Sequence, residues 1–210
     1  MKTSTALVYN PEYKIIVGMI EPGSSILDLG CGNGDLLAIL KKERNITRSQ
    51  GIEIDEKAIY ECVAKGVSVF HGDIDSGLSE YSDKSFDYVI LNQTFQQVKK
   101  PDVVLSEALR VGGKVIVGFP NFAYLTARFH LAIRGRAPIT KSLPYEWFNT
   151  PNIHFLSIAD FWDYCKKREI KIEQAYYQNN SKSVRFMPNI FALLGVFLIL
   201  KNEITKINPR

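Results

Sequence analysis

I-L-D-L-G-C-G-N-G-D, residues 26–35, carries the sharpest local signal in the chain. An apolar run at 26–29, interrupted by Asp28, breaks into Gly30, Gly32 and Gly34, after which Leu36, Leu37, Ile39 and Leu40 return at helical spacing. The pattern predicts a strand, a glycine turn and a helix. Alternate glycines let the backbone take positive φ and come close to a ligand, while the free N–H groups of the helix start face the same space. A nucleotide-like ligand is expected there.

Spacing selects among nucleotides. The dinucleotide fingerprint needs G-x-G-x-x-G, and here the third glycine comes one residue early; a P-loop needs Gly-Lys-Ser/Thr, which is absent. What remains, D-x-G-x-G-x-G from Asp28, resembles motif I of the class I S-adenosylmethionine-dependent methyltransferases. A second predicted strand at 51–54 supplies Glu53, roughly 20 residues past the glycines, where a carboxylate can accept both ribose hydroxyls. A third, at 67–70, is followed by His71, Gly72 and Asp73, and Asp73 is placed to meet an adenine amino group. The expected cofactor-binding set is Asp28, Gly30, Cys31, Gly32, Asn33, Gly34, Glu53, Ile54, Asp73, Ile74 and Asn92. An ordinary strand-to-helix turn is the plain alternative for the glycines, and a solvated strand-end carboxylate for Glu53.

Composition sets the bounds. At 210 residues, 46% hydrophobic and 11% aromatic, the chain can bury one sizeable core, and a single domain over 1–210 is expected. A net charge of +4 is small beside 26 basic and 22 acidic residues, so nucleic acid is not called for as a partner. Cys31, Cys62 and Cys165 are too far apart in sequence for a C-x-x-C site and are read as free thiols of a reducing compartment. Residues 1–10 lack the apolar core of a signal peptide, and the apolar run at 190–200 is far short of the ~20 residues that span a bilayer. A cytoplasmic protein without membrane contact is expected.

In chain order, Asn10 before Pro11 reads as a helix N-cap, with Ile15, Ile16, Met19 and Ile20 on one face. A helix at 35–43 follows the glycine turn. Asp55 caps the next, with Ala58, Ile59, Cys62 and Val63 inward. A fourth strand at 86–91 delivers Asn92 and Gln93; a helix from Pro101 turns Val103, Val104, Leu105, Ala108 and Leu109 inward and ends at Gly112 and Gly113. The fifth strand is at 114–118. Five alternations of strand and helix predict an α/β, Rossmann-like fold: a mostly parallel seven-stranded sheet with helices on both faces. Two further strands, 170–176 and 195–200, form its antiparallel edge after a helix opened by the S-x-x-D box of Ser157 and Asp160. Segment 119–156 is too long for a plain connection and is expected to cover the substrate half of the site.

Four stretches sharpen the resemblance: L-N-Q-T-F-Q from Leu91, R-V-G-G-K-V-I-V-G-F-P-N-F from Arg110, R-G-R-A-P-I-T-K-S-L-P-Y-E-W-F from Arg134, and T-P-N-I-H from Thr150. Together with motif I they are similar to the MetW family of methionine biosynthesis proteins, over roughly 22–200. The resemblance implies a methyltransferase fold using S-adenosylmethionine, with S-adenosylhomocysteine as product, and a role beside homoserine O-acyltransferase as partner; it names no methyl acceptor, so a small-molecule substrate is one expectation and a non-catalytic, cofactor-sensing partner of the acyltransferase the alternative. Asn33 and Asn92 stand where the family usually has other residues, and the usual Arg-x-Asp-Leu is missing from the first helix.

Catalytic candidates are Asn92 and Gln93 at the end of the fourth strand, and Tyr145 and His154 in the cover, for which packing is the alternative. His71, His130 and His154 lack metal-ligand spacing, so no metal is expected. Arg128, Arg134, Arg136 and Lys141 make the cover basic; they read as a solvated face, or as a surface for an acidic substrate or partner.

Overall fold

The computed structural model describes residues 10–202. The expectation about a leader falls on 1–10, which lies outside the described residues except for Asn10. Strands β1 (Ser25–Leu29), β2 (Arg48–Glu53), β3 (Val69–His71), β4 (Phe86–Asn92), β5 (Gly112–Pro120), β6 (Ile170–Asn179), β7 (Lys182–Ser183) and β8 (Leu194–Lys201) form one sheet in the order β3-β2-β1-β4-β5-β8-β6-β7. The first five are parallel. β8 runs antiparallel between β5 and β6, so the expected antiparallel edge is present. The two-residue β7 adds an eighth strand by folding back on the end of β6, with Gln178 opposite Ser183.

The central strands β1, β4, β5 and β8 are buried on both faces, which is why they read as near-continuous apolar runs. Alternation sorts their side chains. Ile26, Tyr88, Ile90, Ile116, Val196 and Leu198 join α1 (Pro11–Met19) and α2 (Asp35–Arg44) in one core. Leu27, Leu29, Val89, Leu91, Val115, Val117, Phe197 and Ile199 join α4 (Pro101–Val111) and α6 (Ile158–Lys167) in the other. Phe119, Phe161 and Phe197 stack at the centre of the second core, with ring centroids 4.8–5.6 Å apart.

Helix boundaries follow the sequence with a few corrections. Asp55 caps α3 (Glu56–Ala64), accepting from the N–H groups of Lys57 and Ala58, and Ser157 with Asp160 forms a reciprocal capping box on α6. Asn10 occupies the N-cap of α1 but its side chain makes no cap bond; its amide turns to Glu12 instead. Val63 is 63% and Val103 44% exposed, because α3 buries little beyond Cys62 and α4 buries the stripe Val104, Leu105, Ala108, Val111. Gly112 caps the end of α4, as expected, and with Gly113 also opens β5; a Cβ on Gly112 would lie 2.7 Å from Val89, so the small residue lets the strands close up.

After β5, Asn121 is fully buried and holds three segments: its amide donates to the carbonyls of Asn189 and Ala192, and its oxygen accepts from Ala123 and Ile158. α5 (Leu125–Ala132) follows, then an irregular stretch ending where the N–H groups of Ile153 and His154 reach the Gln96 carbonyl. The one-turn α7 (Pro188–Phe191) precedes β8. Among the described residues no helix is long and apolar enough to cross a membrane.

Candidate functional site

Strand order reverses between β2-β1 and β4-β5, and the ends of such strands leave a crevice where open α/β sheets take their ligands. A cavity of about 520 Å³ occupies that place here. Its wall is the glycine turn after β1, Glu53 and Ile54 after β2, Asp73 to Asp75 after β3, Asn92, Gln93 and Thr94 after β4, and the first turn of α1.

The turn is shaped by backbone sterics. Gly30, Gly32 and Gly34 take φ of +75°, +54° and +77°, a region costly for side chains. Gly30 also abuts Thr94, where a Cβ would come within 2.6 Å. At Gly32 a Cβ would meet nothing within 4 Å, and the residue opens on the cleft, whereas Gly34 lies behind it, against Cys62 and Val67. Backbone bonds from Gly30 and Cys31 to the Ile52 carbonyl tie the turn to β2.

Glu53 sits at the meeting of these elements. Its Oε2 accepts from the Gly32 N–H at 2.8 Å, and its Oε1 from the N–H groups of Ile54 and Asp55 at 2.8 and 3.0 Å. The carboxylate is thus oriented by three backbone donors and keeps lone pairs for a diol. Asp73 accepts from Asp75 N–H, and the Asp75 carboxylate accepts from Lys99 and Lys100, fixing the rim under α4. Asp28 is 3% exposed; burial first, and then the Glu53 charge, push its carboxyl up to about 7. These features suit S-adenosylmethionine: a glycine turn open to the cleft at Gly32 and an acid held by three backbone donors within reach of ribose hydroxyls.

Of the residues expected from sequence, Asp28, Gly30, Cys31, Gly32, Asn33, Glu53, Ile54, Asp73, Ile74, Asn92 and Gln93 line the cleft together. Gly34, Tyr145 and His154 do not. The His154 Nε2 is 3.0 Å from the Val98 carbonyl, and Tyr145 lies half-exposed near Trp147, which is 77% exposed. Among the described residues no cluster of side chains could hold a metal ion.

Thr94, which the sequence delivers to the same edge as Asn92 and Gln93, and Gln97, a weaker candidate, also line the cleft, whereas sequence reasoning missed Glu12, Tyr13 and Lys99. Glu12 had a signal: with Ile16, Met19 and Ile20 it falls on the inward face at i, i+4, i+7 and i+8. It is 2% exposed and accepts from Gln93 Nε2 at 2.8 Å and from Asn10. Burial raises its carboxyl pKa against the pull of these amides. Burial, with Asp28 and Glu12 nearby, also raises the Tyr13 hydroxyl. Gln93 has φ +58°, a strained position for a side chain, held by its N–H on the Gly118 carbonyl and by the Gln96 and Gln97 amides on its own carbonyl.

Comparison with known proteins agrees with this geometry. The family model described as "Methionine biosynthesis protein MetW" matches residues 10–199. The bifunctional methionine biosynthesis protein MetXA/MetW of Rhodopirellula baltica is 35% identical over 191 residues, 87% of this chain. The alignment covers 31% of that protein, so the chain spans about a third of its length. An S-adenosylmethionine-dependent methyltransferase from Mesorhizobium loti superposes with a TM-score of 0.66 at 16% identity, covering 92% of this chain and 99% of that one. One from Archaeoglobus fulgidus gives 0.66 at 16%, covering 91% and 92%. At these identities the structural likeness establishes a shared Rossmann-like methyltransferase fold.

Proposed function

The chain belongs to the MetW family of methionine biosynthesis proteins, and on that footing we propose that it binds S-adenosylmethionine in the cleft and transfers its methyl group to a small-molecule acceptor linked to methionine synthesis. The observation that carries this reading is the Glu53 carboxylate, bonded to Gly32 N–H across an open glycine turn. Bound there, S-adenosylmethionine supplies a methyl group already activated by its sulfonium. The chain's own part is to grip the nucleoside, hold an acceptor in line and exclude water, so no catalytic dyad is needed. In this reading Glu53 takes the ribose, Asp73 and Ile74 the adenine end, and Asn92 and Gln93 the wall nearest the acceptor. Segment 119–156 runs beside that wall without lining the cleft, its end anchored on Gln96, with His154 held against the Val98 carbonyl and Tyr145 half-exposed.

Release of S-adenosylhomocysteine tests the reaction. Incubation with amine, thiol, hydroxyl and carboxyl compounds, methionine-pathway intermediates included, is expected to give product above the acceptor-free blank with at least one class. Glu53→Ala should abolish the gain. Intact cofactor binding with no product from any class would contradict methyl transfer.

A second reading is favoured by one observation, the joining of a MetXA unit to a MetW unit in the Rhodopirellula baltica relative. The protein then acts as a partner that binds homoserine O-acyltransferase and senses S-adenosylmethionine through the same cleft. The exposed Trp147, Phe148 and Tyr145, with Arg134 on the same segment, have the residue types that anchor interfaces.

A further inference from the structure

We propose that Glu12 makes the end of the cleft over β4 selective for positive charge, so that the protein holds S-adenosylmethionine more tightly than S-adenosylhomocysteine. The inference rests on the cofactor reading above and goes beyond it by assigning a charge-specificity residue outside motif I and Glu53.

The argument starts from an imbalance. Glu12 is 2% exposed on the inward face of α1, yet it lines the cleft. A buried carboxyl is costly unless donors or a cation compensate it. The fold supplies donors, the amides of Gln93, Asn92 and Asn10. Among the described residues it supplies no cation: the ion pairs involve Lys65, Arg110, Lys114 and Arg168, and none reaches Glu12. The amides orient the carboxylate without neutralising it.

A further feature marks the same place. Gln93, whose amide holds Glu12, is kept at φ +58° by three hydrogen bonds to its backbone. Strain is spent on presenting that amide to Glu12. This end of the cleft therefore holds a buried acid that has hydrogen-bond donors but no counter-cation.

Its position along the sheet decides which part of a ligand it meets. Glu53 closes β2 and Asp73 follows β3, whereas Glu12 rests on residues at the end of β4, across β1 in the order β3-β2-β1-β4. A nucleoside held by Glu53 and Asp73 leaves its sulfur end toward β4. S-adenosylmethionine and S-adenosylhomocysteine differ there by one methyl group and one positive charge, and are otherwise alike. The other ionisable groups at the cleft near Glu12, Tyr13 on its own helix, Asp28 on β1 and Lys99 on the rim, are the same in wild type and in Glu12→Gln. The change in ligand preference between those two proteins at one pH therefore isolates the Glu12 charge.

The test is calorimetric titration at pH 8 with S-adenosylmethionine, S-adenosylhomocysteine and sinefungin, which carries a protonated amine in place of the methylsulfonium. The wild-type protein is expected to bind the two cationic ligands about tenfold more tightly than the neutral one, the scale of a partly screened charge pair. Glu12→Gln keeps the shape and removes the charge. It should bring all three ligands within about twofold of one another, chiefly by weakening the cationic two. A wild-type protein without the preference overturns the proposal, and that measurement needs no variant to fold. So does a preference that survives in Glu12→Gln. If none of the three ligands binds the wild-type protein, the cofactor reading itself fails, an outcome distinct from binding without charge preference.

Discussion

Asp28 sits at 3% exposure in β1, on the face of the sheet opposite the side chains of Leu27 and Leu29, with its carboxyl pushed up to about 7. In the unfolded chain it ionises near pH 4. From roughly pH 4 to about 7 the folded protein keeps a proton that the unfolded chain has lost, so the stability contributed by this group falls as pH rises through that window, by up to about 4 kcal/mol. Asp28→Asn removes the penalty. Denaturant titrations at pH 5 and pH 8 are expected to show the variant gaining on wild type at the higher pH, and a difference independent of pH would refute the assignment. The glycines, Asp28 and Glu53 were legible in sequence because their message is local: a turn that only glycine fits, and an acid at a fixed separation. Glu12 had only its place on the inward face of α1 to mark it, against the rule that an acid in a first helical turn faces solvent, and its amide partner Gln93 lies 81 positions away. The approach of Cys31 and Cys62, with their sulfurs 4.0 Å apart, is likewise invisible before the chain folds.

Elements were legible where a period or a cap announces them. α6 begins at Ser157 because its hydroxyl accepts from the Asp160 N–H while the Asp160 carboxylate accepts from the Ser157 N–H and hydroxyl. Ser157→Ala should cost about 1 kcal/mol of stability, with Ser157→Asp restoring most of it. A midpoint unchanged by the alanine variant would mean the box is redundant with the packing of Ile158 and Phe161. The strands alternating with helices could be read because β1, β4 and β5 are apolar on both faces. The path through 133–156 could not, because no periodicity fixes it. Long-range bonds hold only the ends of the wider stretch 119–156, Asn121 near the start of α6 and the Gln96 carbonyl at Ile153 and His154. The inward faces of α3 and α4 were drawn too wide at Val63 and Val103, since periodicity gives a direction but not how much surface the sheet leaves to cover.

At the scale of the molecule, the order β3-β2-β1-β4-β5 places the glycine turn, Glu53, Asp73 and Asn92 around one crevice although they span more than 60 positions of chain. Segment 119–156 lies outside the cleft lining and leaves an apolar and basic surface open, which suits a partner. Co-expression with homoserine O-acyltransferase is expected to give a complex that co-purifies and is lost on Trp147→Ala or Arg134→Glu. Persistent separation of the two wild-type proteins would remove the second reading and leave the cleft untouched. The cleft is tested most directly by calorimetric titration with S-adenosylmethionine and S-adenosylhomocysteine, wild type against Glu53→Ala. Saturable one-to-one binding is predicted, weakened by about 1 to 3 kcal/mol in the variant, the cost of hydrogen-bonding groups left without their partner. Affinity unchanged by the loss of Glu53 would contradict the account.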